Sequence, residues 1–221
     1  MQRHFDEELR DLKQKILQMG ALVEDQVEKA KQALIERNEI LAKQVIHDDR
    51  RVNTLDVEVD EFCLRLLALY QPAARDLRFI TTAMKISTEL ERISDLAENI
   101  CERSIELNEE PQLKPYIDIP RMADRATTMV HEALDAFVRG DSISARNVLV
   151  EDDVVDELTE QLFRELLSFM MENPKTITRA IRLSFVAKYL ERIADHATNV
   201  AELVVYMVEG KIIRHTLHAS S

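Results

Sequence analysis

Apolar residues recur at alternating intervals of four and three along most of this chain of 221 residues. In one stretch they are Ile86, Leu90, Ile93, Ala97 and Ile100. This spacing places all five side chains on one face of an α-helix, which is typical of a helix packed in a bundle. We therefore expect long helices whose other faces are polar.

Read together with the turn-forming residues, the periodicity predicts six helices. Asn38 and Asp141 are suited to cap the second and fifth helices, while Gly140 and Gly210 are suited to end the fourth and sixth. The predicted helices are residues 4–37, 39–70, 73–108, 121–139, 142–172 and 173–210. Three of the five prolines lie within residues 109–120, which indicates a linker.

One motif occurs twice, one hundred residues apart. Residues 90–102 read LERISDLAENICE and residues 190–202 read LERIADHATNVAE, so eight of thirteen positions are identical. A weaker match at an offset of 103 aligns the second and fifth helices. We interpret the chain as all-α, with two repeated three-helix bundles. The first bundle, linker, second bundle and loose tail are residues 1–109, 110–120, 121–212 and 213–221.

Carboxylates keep the same register in both copies of the motif. The first copy carries them on a stripe rotated away from the apolar seam, on the outer face of the helix: Glu91, Asp95, Glu98 and Glu102. The second copy has Glu191, Asp195 and Glu202, with Thr198 in the remaining place. Like charges four residues apart destabilise a helix by about 0.2–0.5 kcal/mol per pair. A stripe repeated despite this cost indicates a surface that binds a cation.

The second and fifth helices supply further oxygen ligands. Asp152 and Asp156 share one face of the fifth helix, and their counterparts in the first half are Asp49 and Asn53. Oxygen-rich sites suit hard cations such as magnesium, manganese or iron, rather than zinc.

Several polar residues near these carboxylates are candidates for additional ligands, or for groups that orient the ligands. They are Asn53, Asn99, Asn199, Glu102, Glu202 and His196. Arg92 and Arg192 are instead expected to form ion pairs with nearby acids.

Composition narrows the classes of function. A net charge of −12 argues against nucleic-acid binding, because no basic stripe is available to replace the counterions of phosphates. The amino terminus lacks the apolar segment of a signal peptide, and no run approaches the roughly 20 apolar residues of a membrane span. Cys63 and Cys101 have no metal-binding spacing and are expected to be reduced and buried. We expect a cytoplasmic protein.

On the residues alone, three kinds of function stay open. The acidic stripes could hold metal, or they could simply solubilise a structural helical adaptor. A metal-dependent phosphohydrolase is a third reading, but no histidine follows a glutamate by three residues and no glycine-rich phosphate loop is present. We therefore do not expect an enzyme.

Three segments together resemble the PhoU family. They are residues 90–99, residues 190–199 and the segment QPAARDLR at residues 71–78. The resemblance extends from about Phe5 to Gly210, in the same order and with the same duplication. It implies a cytoplasmic six-helix protein built from two three-helix bundles.

The resemblance also implies a regulator that binds metal. The family's E(D)-x-x-x-D motifs bind multinuclear metal clusters, with iron in some members, and they correspond to Glu91/Asp95, Glu191/Asp195 and Asp152/Asp156. Asp49 begins a fourth motif, in which Asn53 replaces the second acid, and Leu96 stands where the family often has histidine.

The partners implied are the ATPase of the phosphate ABC transporter and a phosphate-sensing histidine kinase, both at the inner membrane. Such a protein restrains phosphate uptake and keeps the phosphate regulon silent when phosphate is plentiful. We further expect a homodimer.

Overall fold

Six α-helices follow one another in the computed structural model, which describes residues 2–213. They are α1 (Gln2–Ile35), α2 (Glu39–Tyr70), α3 (Ala74–Asn108), α4 (Asp118–Arg139), α5 (Ser142–Glu172) and α6 (Ile177–Glu209). This part of the chain contains no strand. None of its helices combines the length and the apolarity that crossing a membrane demands.

The predicted helix ends are confirmed where a capping residue marked them. The Asn38 side chain accepts a hydrogen bond from the backbone N–H of Leu41 (3.0 Å), and Asp141 accepts from Ile143 at the start of α5. Gly140 has a φ of 64° after α4, a left-handed conformation that glycine adopts without the steric penalty of a β-carbon. Local chemistry therefore determines these boundaries.

Several boundaries differ from the prediction, including both ends of α1, which was predicted at residues 4–37. α4 begins at Asp118, inside the predicted linker, because Pro120 lies in the first helical turn, where a missing N–H costs nothing. A single 3₁₀ turn, Pro174–Thr176, precedes α6. The predicted loose tail is wrong at its first residue, since Ile213 packs against the core, and residues 214–221 lie outside the described part of the chain.

The two halves share one continuous hydrophobic core rather than forming two separate bundles. α3 and α6 pack against each other at its centre; α1 and α2 pack on α3, and α4 and α5 pack on α6. The predicted apolar seam of α3 is confirmed, with Ile86, Leu90 and Ile93 fully buried. Leu96 and Cys101 are buried as well, because α3 is covered on more than one side.

Arginines join the two halves at both ends of the central helix pair. Arg78 Nε donates to the Met207 carbonyl at the end of α6 (3.1 Å), and Arg182 Nη1 donates to the Glu106 carbonyl at the end of α3 (2.9 Å). The last carbonyls of a helix have no partner within it, so each arginine satisfies groups that the helix cannot. The ends of α3 and α6 are thereby held together across the repeat.

Gly20 lies buried in α1 at the contact with α4. A β-carbon at this position would overlap the Cδ1 atom of Leu134. The glycine therefore leaves room for the Leu134 side chain of the other half, although glycine disfavours a helix by about 1 kcal/mol relative to alanine.

We expect Gly20→Ala to destabilise the protein by about 1–3 kcal/mol, because overpacking outweighs the gain in helix propensity. Leu134→Ala alone should cost about 2–5 kcal/mol. In the double variant the alanine methyl occupies the space that Leu134 vacates, so its loss should be smaller than the sum of the single losses. Urea denaturation of the four proteins measures this, and strictly additive losses would contradict the contact.

Candidate metal centre

Carboxylates from α2 and α3 come together on one side of the first half. Partial burial, together with the negative charge of Asp49, raises the pKa of Asp95 and of Glu98. Burial, then the charges of Asp95 and more distantly Asp49, raise the pKa of Glu91. The predicted stripe of α3 is therefore half-covered by α2 instead of lying wholly on an outer face, and its acids share one electrostatic environment.

Asp49 is the buried member of this group, with only 6% of its surface exposed. Ser94 Oγ donates to its Oδ1 (2.6 Å) and Asn53 Nδ2 donates to its Oδ2 (2.7 Å). Ser94 Oγ also lies 2.6 Å from the Gln26 amide. A hydroxyl donates only one hydrogen, so we assign that hydrogen to the Asp49 carboxylate and orient the Gln26 NH₂ group toward Ser94. Two donors thus hold Asp49 in place.

Arg92 is a cation in contact with two acids of the α3 stripe. Its guanidinium lies 3.4 Å from Glu91 and 3.2 Å from Asp95, which confirms the ion pairs predicted for it. The side chain is more than half exposed, so these pairs contribute little to stability. The guanidinium of Arg92 nonetheless provides positive charge beside Glu91 and Asp95.

Asp56 belongs to the first-half group but was missed in the sequence. Its Oδ1 is buried and has no hydrogen-bond partner, and its charge contributes to the raised pKa values of Asp60 and Glu91. The signal was available, because Asp49, Asn53, Asp56 and Asp60 follow the same 4-3-4 spacing as the acidic stripe of α3.

The predicted acids of α5 and α6 also come together. Asp152 has a pKa raised to about 6, first by burial and then by the charges of Asp195, Asp156, Asp153 and Glu191. Burial and the charge of Glu191 likewise raise the pKa values of Asp156 and Asp195. The charges of these residues therefore act on one another across α5 and α6, and we refer to them as the second-half cluster.

The second-half cluster lacks the donors that hold Asp49. Asp152 is the repeat counterpart of Asp49, but Ala194 stands in place of Ser94, and Asp156 stands in place of Asn53. The Oδ1 of Asp152 is accordingly buried without a hydrogen-bond partner. An ionised carboxylate in this situation is unfavourable unless a proton or a cation neutralises it.

Lys188 and Arg192 partly offset the charge of this cluster. The Lys188 ammonium contacts Glu191, and both cations lower the pKa of Asp195 against the opposing effect of burial. Their positive charges do not satisfy the buried oxygen of Asp152. The counterpart of Asp49 is therefore left uncompensated in the second half.

His196 and Asn199 form hydrogen bonds away from the acid cluster. His196 Nδ1 lies 2.7 Å from Glu89 Oε2 on α3, and Asn199 Nδ2 donates to the same oxygen (3.1 Å). These contacts link the two halves. The His196 charge still acts on the neighbouring Asp195, whose pKa it lowers.

The remaining candidates lie at the margins of the clusters. Asn99 Nδ2 donates to the Asp95 backbone carbonyl in its own helix (2.7 Å). Glu102 is exposed and pairs with Arg103 (3.4 Å). Glu202 lies near the end of α6, where it lines a cleft together with Lys85.

The two clusters have the right chemistry for a cation, but their side chains are spread apart. Within residues 2–213, no group of three or more His, Cys, Asp or Glu side chains is arranged so as to hold a metal ion. The residue types nevertheless fit an oxygen-binding metal. The unpartnered buried oxygens of Asp56 and Asp152 place one unsatisfied ligand atom in each half.

Comparisons with known proteins agree on one family. The model of the PhoU domain matches the chain twice, at residues 16–104 and 119–204. A phosphate-specific transport system accessory protein PhoU homolog of Aquifex aeolicus is 46% identical over 208 residues, which cover 94% of each chain. The accessory protein PhoU of Escherichia coli is 36% identical over 96% of this chain and 88% of its own length.

Solved structures show the same architecture. The crystal structure of PhoU from Pseudomonas aeruginosa superposes with a TM-score of 0.90 at 42% identity, covering 94% of this chain and all of that one. The phosphate transport system regulatory protein PhoU from Streptococcus pneumoniae has a TM-score of 0.88 at 29% identity, covering 94% of this chain and 98% of its own. The six-helix fold with two PhoU domains is thereby confirmed.

We expect Asp152→Asn to stabilise the metal-free protein at pH 7. The pKa of Asp152 is about 6 when folded against 3.8 when unfolded, so folding takes up a proton between these values. Stability therefore falls as the pH rises from about 4 to about 6, and it does not recover above that window. Discounted for solvent screening, the gain should be about 1 kcal/mol at pH 7 and should vanish below pH 4.

Urea denaturation in chelator at pH 3.5 and pH 7 tests this. Glu157→Gln removes one exposed negative charge from the same helix and should change stability by less than about 0.5 kcal/mol. A gain for Asp152→Asn that is equal at both pH values, or absent, would show that the buried carboxylate carries no such penalty.

Proposed function

The chain belongs to the PhoU family, a family of accessory proteins with a regulatory role in phosphate transport, and on that basis we propose that it is a metal-binding negative regulator of phosphate uptake. The observation that supports metal binding is the same in both halves. Carboxylates of two neighbouring helices converge, and each cluster contains one buried carboxylate oxygen without a hydrogen-bond partner.

We propose that each half contributes four ligand residues. The second-half set is Asp152, Asp156, Glu191 and Asp195, and the first-half set is Asp49, Asp56, Glu91 and Asp95. Their oxygens suit iron, manganese or magnesium. Holding an ion requires the side chains to rotate toward one another from their present positions. When bound, the ion supplies positive charge that neutralises the carboxylates.

The residues around the proposed ligands influence how each set of carboxylates would bind a cation. Ser94 and Asn53 already orient Asp49, so that carboxylate is positioned before any ion arrives. Arg92 and Lys188 pair with the glutamates and must release them when a cation competes. Asp56 Oδ1 in the first half and Asp152 Oδ1 in the second half have no donor, so a cation would satisfy one buried oxygen in each set.

The regulatory action that we propose is a change in the adhesion of these faces. With a net charge of −12, the protein repels other acidic surfaces until its carboxylates are neutralised. A metal-loaded face can then contact the ATPase of the phosphate ABC transporter or a phosphate-sensing histidine kinase. We propose that the protein acts in the cytoplasm, as a homodimer and without enzymatic activity.

A purely structural helical adaptor is the second candidate. It is favoured by the lack, among the described residues, of any preformed group of three ligands, and by the hydrogen bonds that already satisfy Asp49. In that case the positive charges of Arg92 and Lys188 would suffice to offset the negative charge of the acidic stripes. Metal analysis separates the two candidates.

Metal content should depend on the paired acids. We expect Glu191→Gln with Asp195→Asn to weaken manganese binding at the second-half site at least about tenfold, or about 1.4 kcal/mol, because two charged ligands are lost. Mass spectrometry of bound metal and titration of untagged protein measure the change. Glu24→Gln with Glu28→Gln removes an acid pair of the same spacing on α1 and should leave binding intact. Unchanged binding in the first variant would contradict the assigned site, whereas a wild type that binds no metal would favour the adaptor.

Loss of the protein should release the phosphate regulon. We expect deletion in the native host to switch on a phosphatase reporter in high phosphate, and a plasmid copy of the wild-type chain to restore repression. A copy carrying Glu191→Gln and Asp195→Asn should fail to repress at equal protein level. Continued repression in the deletion strain would exclude the regulatory role, whereas full repression by the variant would exclude only the metal.

A further inference from the structure

The second half exposes two rows of large apolar side chains. Phe163, Leu167 and Met171 lie four residues apart on α5, and Ile177, Ile181 and Phe185 lie four residues apart on α6; each is 40–78% exposed. A groove of about 590 Å³ runs between the two helices, lined by members of both rows. Exposed apolar surface of this extent is characteristic of an interaction site.

The first half does not repeat these rows. Under the offsets that align the two halves, the corresponding residues are Asp60, Leu64 and Ala68 on α2, and Leu77, Thr81 and Lys85 on α3. Only two of these six are large and apolar. The buried positions of α2 and α5 agree between the halves, so the difference lies in the exposed surface and not in the fold. Within residues 2–213, the second half therefore carries these paired rows and the matching positions of the first half do not.

One end of the groove is acidic. Asp156, Glu160 and Glu191 line that end, and the Lys188 ammonium is already engaged with Glu191. Toward the other end the lining residues are Met170 and Ile181. Apolar side chains of both helices thus line the groove together with Thr159 and Ser184, and its acidic residues lie at one end.

We propose that this groove binds an amphipathic helix of a partner protein, with large apolar residues on one face and lysines or arginines at one end. Each row extends over nine residues, whose first and last members are about 12 Å apart along the helix axis, which matches about two turns of a docked helix. Apolar anchors at i, i+3, i+4 and i+7 of that helix pack between the rows. Its basic end meets Asp156, Glu160 and Glu191.

The charge of the rim favours such a partner over a second copy of this chain. Two copies that met at this groove would bring two acidic rims together, and this contact would be opposed electrostatically, so we assign the proposed homodimer contact to another face. The inference rests on the proposed function only in that an accessory protein must contact a partner. It does not require bound metal, although metal bound by Asp156 and Glu191 would compete with the basic end of the helix for these two carboxylates.

A labelled synthetic peptide provides the probe. The peptide is a 16-residue helix with leucines at i, i+3, i+4 and i+7 and three lysines at one end; in the comparison peptide three glutamates replace the lysines. Fluorescence anisotropy in chelator excludes any effect of metal, so failure here leaves the metal proposal intact. We expect one peptide per chain, with the lysine peptide binding at least about tenfold more tightly than the glutamate peptide.

Variants that transfer first-half residues into the groove test its location. Phe163→Asp, Ile181→Thr and Phe185→Lys together should weaken binding of the lysine peptide at least about tenfold, since all three side chains are exposed and the fold should persist. Circular dichroism checks folding. Glu160→Lys, a single surface change, should weaken the lysine peptide and strengthen the glutamate peptide.

Matched controls are Leu64→Ser, an exposed leucine of the first half, and Glu132→Lys on α4; neither should alter binding. Equal binding of both peptides, or no saturable binding at millimolar peptide, would overturn the proposal. So would light scattering that shows a dimer of the wild type converted to a monomer by Phe185→Lys, since a second copy would then occupy the groove.

Discussion

The packing of α3 against α6 is the contact on which the rest of the structure depends. Each of these helices belongs to one copy of the repeat, and each is covered on one flank by its own half and on another by the other half. The pair therefore merges two duplicated units into one core. It also leaves α2 and α5 on separate sides, out of contact with each other among the described residues, so the two acid clusters remain independent.

The two halves differ in how they compensate a carboxylate at the interface between two helices. A carboxylate at the helix interface loses hydration and must find donors, a proton or a cation. Asp49 accepts hydrogen bonds from Ser94 and Asn53. The corresponding positions in the second half are Ala194 and Asp156, which leave Asp152 Oδ1 without a donor. The two copies thus keep the acids in the same register, but they differ in the residues that donate hydrogen bonds to them. The exposed groove of the second half is a further divergence on the same scaffold.

Much of the fold could be predicted because helix periodicity and capping are local. Asn38, Gly140 and Asp141 mark ends that the structure confirms, and the apolar seam of α3 is buried as expected. The predicted linker is three residues too long at its carboxyl end, because Pro120 is compatible with the first turn of a helix as well as with a loop. Burial on a second side of α3 was not predictable, because it depends on α6.

By itself, the sequence determined the duplicated six-helix plan and which acids share a face of each helix, since spacing within one helix decides both. Only the tertiary structure decided which helix covers that face. In that structure Ser94 forms a hydrogen bond to the buried Asp49, and the negative charge of Asp56 acts on Glu91. His196 contacts Glu89 in the other half. These pairings join residues distant in the chain, and no periodicity within a helix encodes the identity of its neighbour.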